Sequence, residues 1–451
     1  MQQEVVNQMA GKVLNTRSPI QMPEYLYKTL HLPEQYITTN GKKTVTCNFG
    51  ALCSLYTASE LPVLLEIIKL TKARTRFSDL NKLQAFPDGR IRCNYNPVGS
   101  ETGRLSSSAT WVEAIVTMNK IDFAKRMRDK KAYTEMILKP ETSIEGLGTN
   151  LQNVTEDLRE CFIPDNTDYD FFQYDLSGAD AWTVAADLAA LGNDKMLVHL
   201  QNKIKPSIVI VLLLEHGNKV YEWDMPTLQA YHNDMLKKVK SIPKLVRSYT
   251  GAKACQHGTN YGMQPRLMSA LQLERSVTGW AENCIAGLVE EPDFKSLHWT
   301  VMERLQKLYI NYYGLELRND YLRRQLCNHG YLDAASGQRR YFLDIRSRRQ
   351  IDDATIRVAA SHEPQANTTY CTNRAAESIY YDQTNRTPKG NLRCEPLIMV
   401  HDALAGQAHK SQRAWAESRM AEWFTAPLLI HGIEINIPVE GGWGPNWMNT
   451  K

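Results

Sequence analysis

The chain has 451 residues, 43% of them apolar and 23% charged, with nine cysteines and a formal net charge of only +4. That length exceeds one ordinary hydrophobic core, so two or three lobes are expected. The small net charge makes a weak overall case for a polyanionic partner and moves the question to local basic clusters. The scattered cysteines include no CxxC pair, so neither a zinc site nor a disulfide framework nor a catalytic cysteine is expected, and reduced thiols in a cytosol-like compartment are the default. The first residues, MQQEVVNQMAGKV, lack the apolar core of a signal peptide. The longest apolar run, Ile208–Leu214, is too short to span a bilayer and reads as a buried helix segment, so no membrane partner is expected.

In chain order, Ser59-Glu60-Leu61-Pro62 reads as a helix start, with Ser59 as cap and Pro62 in the first turn, where its missing N–H costs little. The helix carries Leu61, Leu64, Leu65, Ile68 and Leu70 on an apolar face. Lys69, Lys72 and Arg76 fall at i, i+3 and i+7 as one basic stripe, by itself most often a solvated face. Asp88-Gly89-Arg90 is a turn signal between strand-like segments, and Thr102-Gly103-Arg104 follows it. Ala124–Lys131, AKRMRDKK, is strongly basic and suits a solvated surface and a grip on a polyanion about equally.

The next stretch, Phe171–Gly192, changes period halfway along. Phe171, Phe172 and Tyr174 make a short apolar strand ending at Asp175, Ser177-Gly178 makes a turn, and Ala179 to Ala190 reads as an Ala-rich helix. An Asp at such a corner is by itself most often a helix cap. From about Lys195 to Asn328 the chain reads as helical, and within it Lys253, His257 and Tyr261 stand at i, i+4 and i+8 on one face. A hairpin follows, Gly330–Leu332 with Arg340–Ile345 around Ser336-Gly337. Pro396–Gly406, PLIMVHDALAG, is a second apolar strand that stops on His401-Asp402. Two strand-end aspartates, Asp175 and Asp402, are thus placed to converge on one edge of a sheet, and two hard carboxylates suit a pair of divalent ions.

Three separated motifs carry a resemblance: DLSGAD at Asp175–Asp180, KACQHGTNYG at Lys253–Gly262 and VHDA at Val400–Ala403. They resemble, in order, the first palm motif, the fingers helix and the second palm motif of family A DNA polymerases. TGRLSSS at Thr102–Ser108, NLQN at Asn150–Asn153, GQRRYFLDI at Gly337–Ile345 and VEGGWGPNW at Val439–Trp447 are similar to further family segments. One motif would be weak; seven in order are specific. The resemblance implies an α/β right-hand fold: a shortened thumb over 1–95, palm over 96–195 with a basic insertion at about 109–147, fingers over 196–329, and palm again over 330–451.

It implies a template-directed DNA polymerase that adds dNTPs to a primer 3′ end with two Mg2+ ions held by Asp175 and Asp402, Mn2+ serving as substitute. Lys253, with Arg247, would steady the triphosphate, and His257, Tyr261 and Asp180 would meet base and sugar. Arg104, Gln152, Arg357, His362, Gln365, His401, Lys69, Lys72 and Arg76 would contact primer-template DNA. No room remains for a nuclease domain, so an exonuclease or a processivity subunit would be a separate partner. The implied setting is a bacterial or phage-infected host cytoplasm.

The departures are as informative as the matches. Tyr249 stands where the family has a phosphate-binding Arg, and Arg247 lies two residues earlier; if Thr250 caps this helix, Arg247 projects from the loop before its N-terminus, an end that favours anions. His257 replaces an aromatic residue, Asp180 a Glu that excludes ribose, and Ala403 a third carboxylate. A single-subunit RNA polymerase, which has a small residue where Asp180 stands, and a DNA-binding protein descended from a polymerase that has lost catalysis are the two alternatives.

Overall fold

The computed structural model describes residues 2–39, 42–108 apart from 82, 84, 87 and 98, 150–275, 298–343 and 351–450. The basic stretch Ala124–Lys131 and Ile345 lie outside the described residues. The chain divides into two compact units. The first contains Met1–Arg76, Asp187–Cys327 and Arg349–Ser361, and the second Phe77–Ala186, Asn328–Arg348 and His362–Lys451.

The first unit is mostly helical. Its centre is the helix Pro206–His216, where Pro206 sits in the first turn and Ile208 through Leu213 are at most 3% exposed. This apolar run is a core segment because neighbouring helices cover it, among them Met225–Lys238, Pro243–Asn260 and His298–Tyr313. Among the described residues no single helix is long and apolar enough to cross a membrane. The helix Phe49–Ser59 packs on Pro265–Arg275, and Met1–Arg76 falls in the same compact unit as the helical middle.

The helix expected to begin at Ser59 begins at Pro62 and runs to Asn81. Ser59 is instead the last residue of the preceding helix: its hydroxyl donates to the Leu55 carbonyl at 2.7 Å, and Glu60, with φ of 54°, turns the chain. Two short polar signals in succession allowed either boundary, and the left-handed Glu60 decided it.

The second unit is organised by a four-stranded antiparallel sheet in the order Val439–Gly444, Tyr169–Leu176, Ala403–His409, Cys394–Val400. The strand Tyr169–Leu176 is buried along nearly its whole length because layers cover both its faces, and Asp170 and Gln173 are enclosed there with Phe171, Phe172 and Tyr174. On one face Phe171, Ala405, Ile398 and Val400 pack with Leu151, Val154, Phe162 and Trp447. Trp447 donates its indole N–H to Gln173 at 2.7 Å and meets Phe162 edge-on at 5.4 Å.

On the other face Phe172 packs against Trp443 at 5.1 Å, and the Trp443 indole N–H donates to the Tyr174 hydroxyl at 3.0 Å. Pro396, which has no N–H to give, is tolerated because Cys394–Val400 is an edge strand with a register irregularity between Pro396 and Ile398. At Gly441 a Cβ would stand 2.2 Å from the Gln173 carbonyl and 2.6 Å from the Tyr174 ring, so only glycine lets the other edge strand approach.

Candidate active site

The site in the second unit is built by strand register. Asp175 is paired directly with Ala403 on one side and with Glu440 on the other. Val400 and Ala403 are partners across a two-residue turn whose first residue, His401, has φ of 56°. The Leu176 amide donates to the Asp402 carbonyl at 3.3 Å, so the chain at Asp402 is anchored beside the end of the strand that carries Asp175. Both carboxylates are half-buried. Tyr95 fixes the approach to the turn, its hydroxyl accepting from the Met399 amide at 2.9 Å and donating to the Met399 carbonyl at 3.2 Å. The two aspartates therefore lie at the same end of adjacent strands, one residue apart in register. All-oxygen donors at the rim of a sheet fit hard divalent ions such as Mg2+.

Next to them is a small cleft lined by Arg104, Leu105, Gln152, Thr369, Asn373, Met399 and His401. Three sequence-named residues, Arg104, Gln152 and His401, thus share one site. The Gln152 amide donates to the Leu105 carbonyl at 2.8 Å, which orients that side chain. Arg104 Nε and Thr369 Oγ1 are buried and make no hydrogen bond among the described residues. The His401 pKa is held below its ordinary value by desolvation from its neighbours and then by the Arg104 guanidinium, partly opposed by Asp402. Thr369 and Asn373 sit one turn apart on the helix Asp353–Tyr381. Nothing in their local pattern marked them; only the fold brings them to this cleft.

In the first unit, Pro243–Asn260 is one continuous helix. Lys253 and His257 are exposed on it, and the half-buried Tyr261 closes it; the His257 and Tyr261 rings meet edge-on at 4.7 Å. Ser248, Ala252, Cys255 and Thr259 form the opposite, buried face, and Asn260 is buried at the helix end. Asn260 accepts from the Tyr309 hydroxyl at 2.9 Å, and Gln306 donates to Thr259 at 3.3 Å and to the Met263 carbonyl at 3.0 Å. The i, i+4, i+8 face is thus a solvent-facing stripe on a helix locked from behind. Just beyond it, Gly262 (φ 67°) lies against Arg357, whose Cα would be 3.0 Å from an added Cβ. Arg357 lines a cavity of about 190 Å³ with Thr259, Asn260, Gln306 and Arg323.

Several expectations need correction. Thr250 lies inside the helix, which starts seven residues earlier, at Pro243, with Ile242 before it, so Arg247 is a helical residue and not part of a preceding loop. Pro243 supplied the stronger start signal, since its missing N–H falls in the first turn. His362 is fully buried, its ring pKa lowered first by that burial and then by Arg340, and a side chain enclosed in this way cannot present a hydrogen-bonding edge to a duplex. Gln365, half-buried, lies on the same helix.

In the basic stripe, Lys69 pairs with Glu66 at 2.7 Å and Lys72 stands 5.5 Å from the centre of the Phe49 ring, while Arg76 is exposed. Asp180 falls in the first turn of the helix Ala179–Ala190 and is 9% exposed.

The family model for DNA polymerase family A matches residues 1–449. No curated protein matches the sequence. Among solved structures, the chain is similar to the POL domain of Pol1 from M. smegmatis, in complex with DNA primer-template and dNTP, with a TM-score of 0.63 and 18% identity. That similarity covers 100% of this chain and 64% of the other, so the chain spans about two thirds of the length of the structure it matches. At this identity the structural likeness speaks for the fold, an α/β polymerase fold, while the match along nearly the whole sequence decides the family: this chain belongs to DNA polymerase family A.

Proposed function

We propose that the chain is a DNA-directed DNA polymerase that extends a primer 3′ end with dNTPs on a template. The observation that carries this reading is the convergence of Asp175 and Asp402 at one end of adjacent strands, through the Leu176 amide and the Asp402 carbonyl at 3.3 Å. In this reading Asp175 and Asp402 hold Mg2+, as two ions, with Mn2+ as substitute. Such ions activate the primer 3′ hydroxyl and neutralise charge on the transferring and leaving phosphates.

The remaining roles belong to the chain's own side chains. Asp175 and Asp402 act as fixed oxygen donors, held by backbone pairing so that little reorganisation is required at the moment of reaction. Arg104 and Gln152 face the primer-template from the cleft they share with His401, where a guanidinium and an amide suit the N3 and O2 acceptors that every base pair shows in the minor groove. Lys253, exposed on its locked helix, binds the triphosphate as a point charge, and His257 and Tyr261 offer aromatic faces to the base. Arg357 and Arg76 contact the template or duplex backbone. The partners are primer-template DNA and dNTPs.

Primer extension on one labelled primer-template, with dNTPs and then rNTPs and with Mg2+ or Mn2+, tests the reading. Extension with dNTPs that Asp175→Asn removes supports it. Extension with rNTPs alone makes the chain an RNA polymerase, and binding without extension makes it a DNA-binding protein.

A further inference from the structure

We infer that Glu440 is a third carboxylate of the metal site, a positioning residue that orients the hydration shell of a divalent ion bound at Asp175; the inference rests on the reading of Asp175 and Asp402 given above. The sheet places Glu440, Asp175 and Ala403 in one cross-strand row. Directly opposed residues of antiparallel strands stand on the same face with Cβ atoms about 4.5–5.5 Å apart, so Glu440 flanks Asp175 on the side away from Ala403. Ala403 is 5% exposed and brings no charge. Glu440 is exposed, and among the described residues it has no hydrogen bond or ion pair that would use its charge elsewhere.

Its register is held on both sides. The Ser177 amide donates to the Pro438 carbonyl at 2.7 Å just before it, and just after it Gly441 closes on Gln173 and Tyr174 so tightly that no side chain fits. A slip of one residue would turn Glu440 to the opposite face of the sheet. Mg2+ keeps several of its waters and takes only one or two carboxylates directly, so a third carboxylate on the rim acts through water.

The test is Mn2+ binding to the whole chain without DNA or nucleotide, by electron paramagnetic resonance, for wild type, Asp175→Asn, Glu440→Gln and Glu440→Asp. Asp175→Asn should lose the site. Glu440→Gln should weaken Mn2+ by roughly tenfold, the effect in water of removing one unit charge about 6 Å from a divalent ion. Glu440→Asp, which keeps the charge, should recover most of the affinity. Glu440→Gln binding like wild type while Asp175→Asn has lost the site overturns this inference alone. Glu440→Asp as weak as Glu440→Gln also overturns it, by assigning the loss to packing. Asp175→Asn binding Mn2+ like wild type overturns the underlying reading of the site instead.

Discussion

The Leu176 amide donates to the Asp402 carbonyl at 3.3 Å, tying the end of one strand to the turn that leads into its neighbour. The bond joins residues far apart in the chain and brings two half-buried aspartates to one end of adjacent strands. Because backbone atoms make it, an Asp-to-Asn change leaves it intact. Asp175→Asn or Asp402→Asn should therefore lower primer extension by at least about 100-fold while primer-template affinity holds, since a transition-state interaction is removed and the phosphate grip is not. Extension within tenfold of wild type in either variant would remove that residue from the site.

The continuous helix Pro243–Asn260 sets a ranking among nucleotide contacts. Tyr249 stands four residues before Lys253 and shares its face, whereas Arg247, six before, is rotated by about 120°. Lys253→Ala should lower kcat/KM for dNTP by roughly 100-fold, with Arg247→Ala clearly milder. Single-nucleotide incorporation measures both, and an Arg247→Ala defect equal to that of Lys253→Ala would mean that the triphosphate approaches a different face.

Asp187 and Arg318 make a buried ion pair, Oδ2 to Nε at 2.5 Å with side chains 2% and 4% exposed, and Arg318 also donates to the Ala360 carbonyl at 3.2 Å. Asp187→Ala would strand the guanidinium in the interior. The expected loss is roughly 3–5 kcal/mol, the usual cost of removing one partner of a buried pair. Urea unfolding followed by tryptophan fluorescence tests this; a change below about 1 kcal/mol would show that water reaches Arg318 in the variant.

His199 is 4% exposed, and its Nδ1 lies 3.0 Å from the Tyr313 hydroxyl. Burial, then Lys195, lowers its pKa to about 4. The unfolded chain therefore takes up the proton first as pH falls. The stability held by neutral His199 is present in full above about 6.5 and is lost as pH drops from there to about 4. His199→Gln should flatten the unfolding free energy against pH in this window, and an unaltered slope would assign the pH dependence to other groups.

Asp180 bears on sugar choice. A carboxylate one methylene shorter than Glu excludes less space, so wild type should admit ribonucleotides more readily than Asp180→Glu. Asp180→Ala should nearly abolish selection, on the scale of ~1–3 kcal/mol or roughly 10–200-fold that one small group contributes. The ratio of kcat/KM for dNTP to rNTP decides it, and equal ratios in wild type and Asp180→Glu would place the gate at another residue, His257 being the next to change.

The sequence by itself carried the family. DLSGAD, KACQHGTNYG and VHDA each concentrate special residues in a few positions, and strand-to-turn changes of period are local events that a short window displays. That is why Asp175 and Asp402 were found, and why Lys253, His257 and Tyr261 could be put on one helix face. Local signals also misled where two of them competed: Ser59 and Thr250 resemble caps, but Pro62 and Pro243 start the helices, because proline's missing N–H and fixed φ suit the first turn best.

Tertiary structure alone decided the rest. The row Glu440–Asp175–Ala403 exists only through strand pairing, and the cleft that joins Arg104 and Gln152 to Thr369, Asn373 and His401 draws on segments hundreds of residues apart. The enclosure of His362, which motif position had set against DNA, likewise depends on neighbours from other segments. Burial and cross-strand register are sums over distant contacts, and no window of sequence contains them.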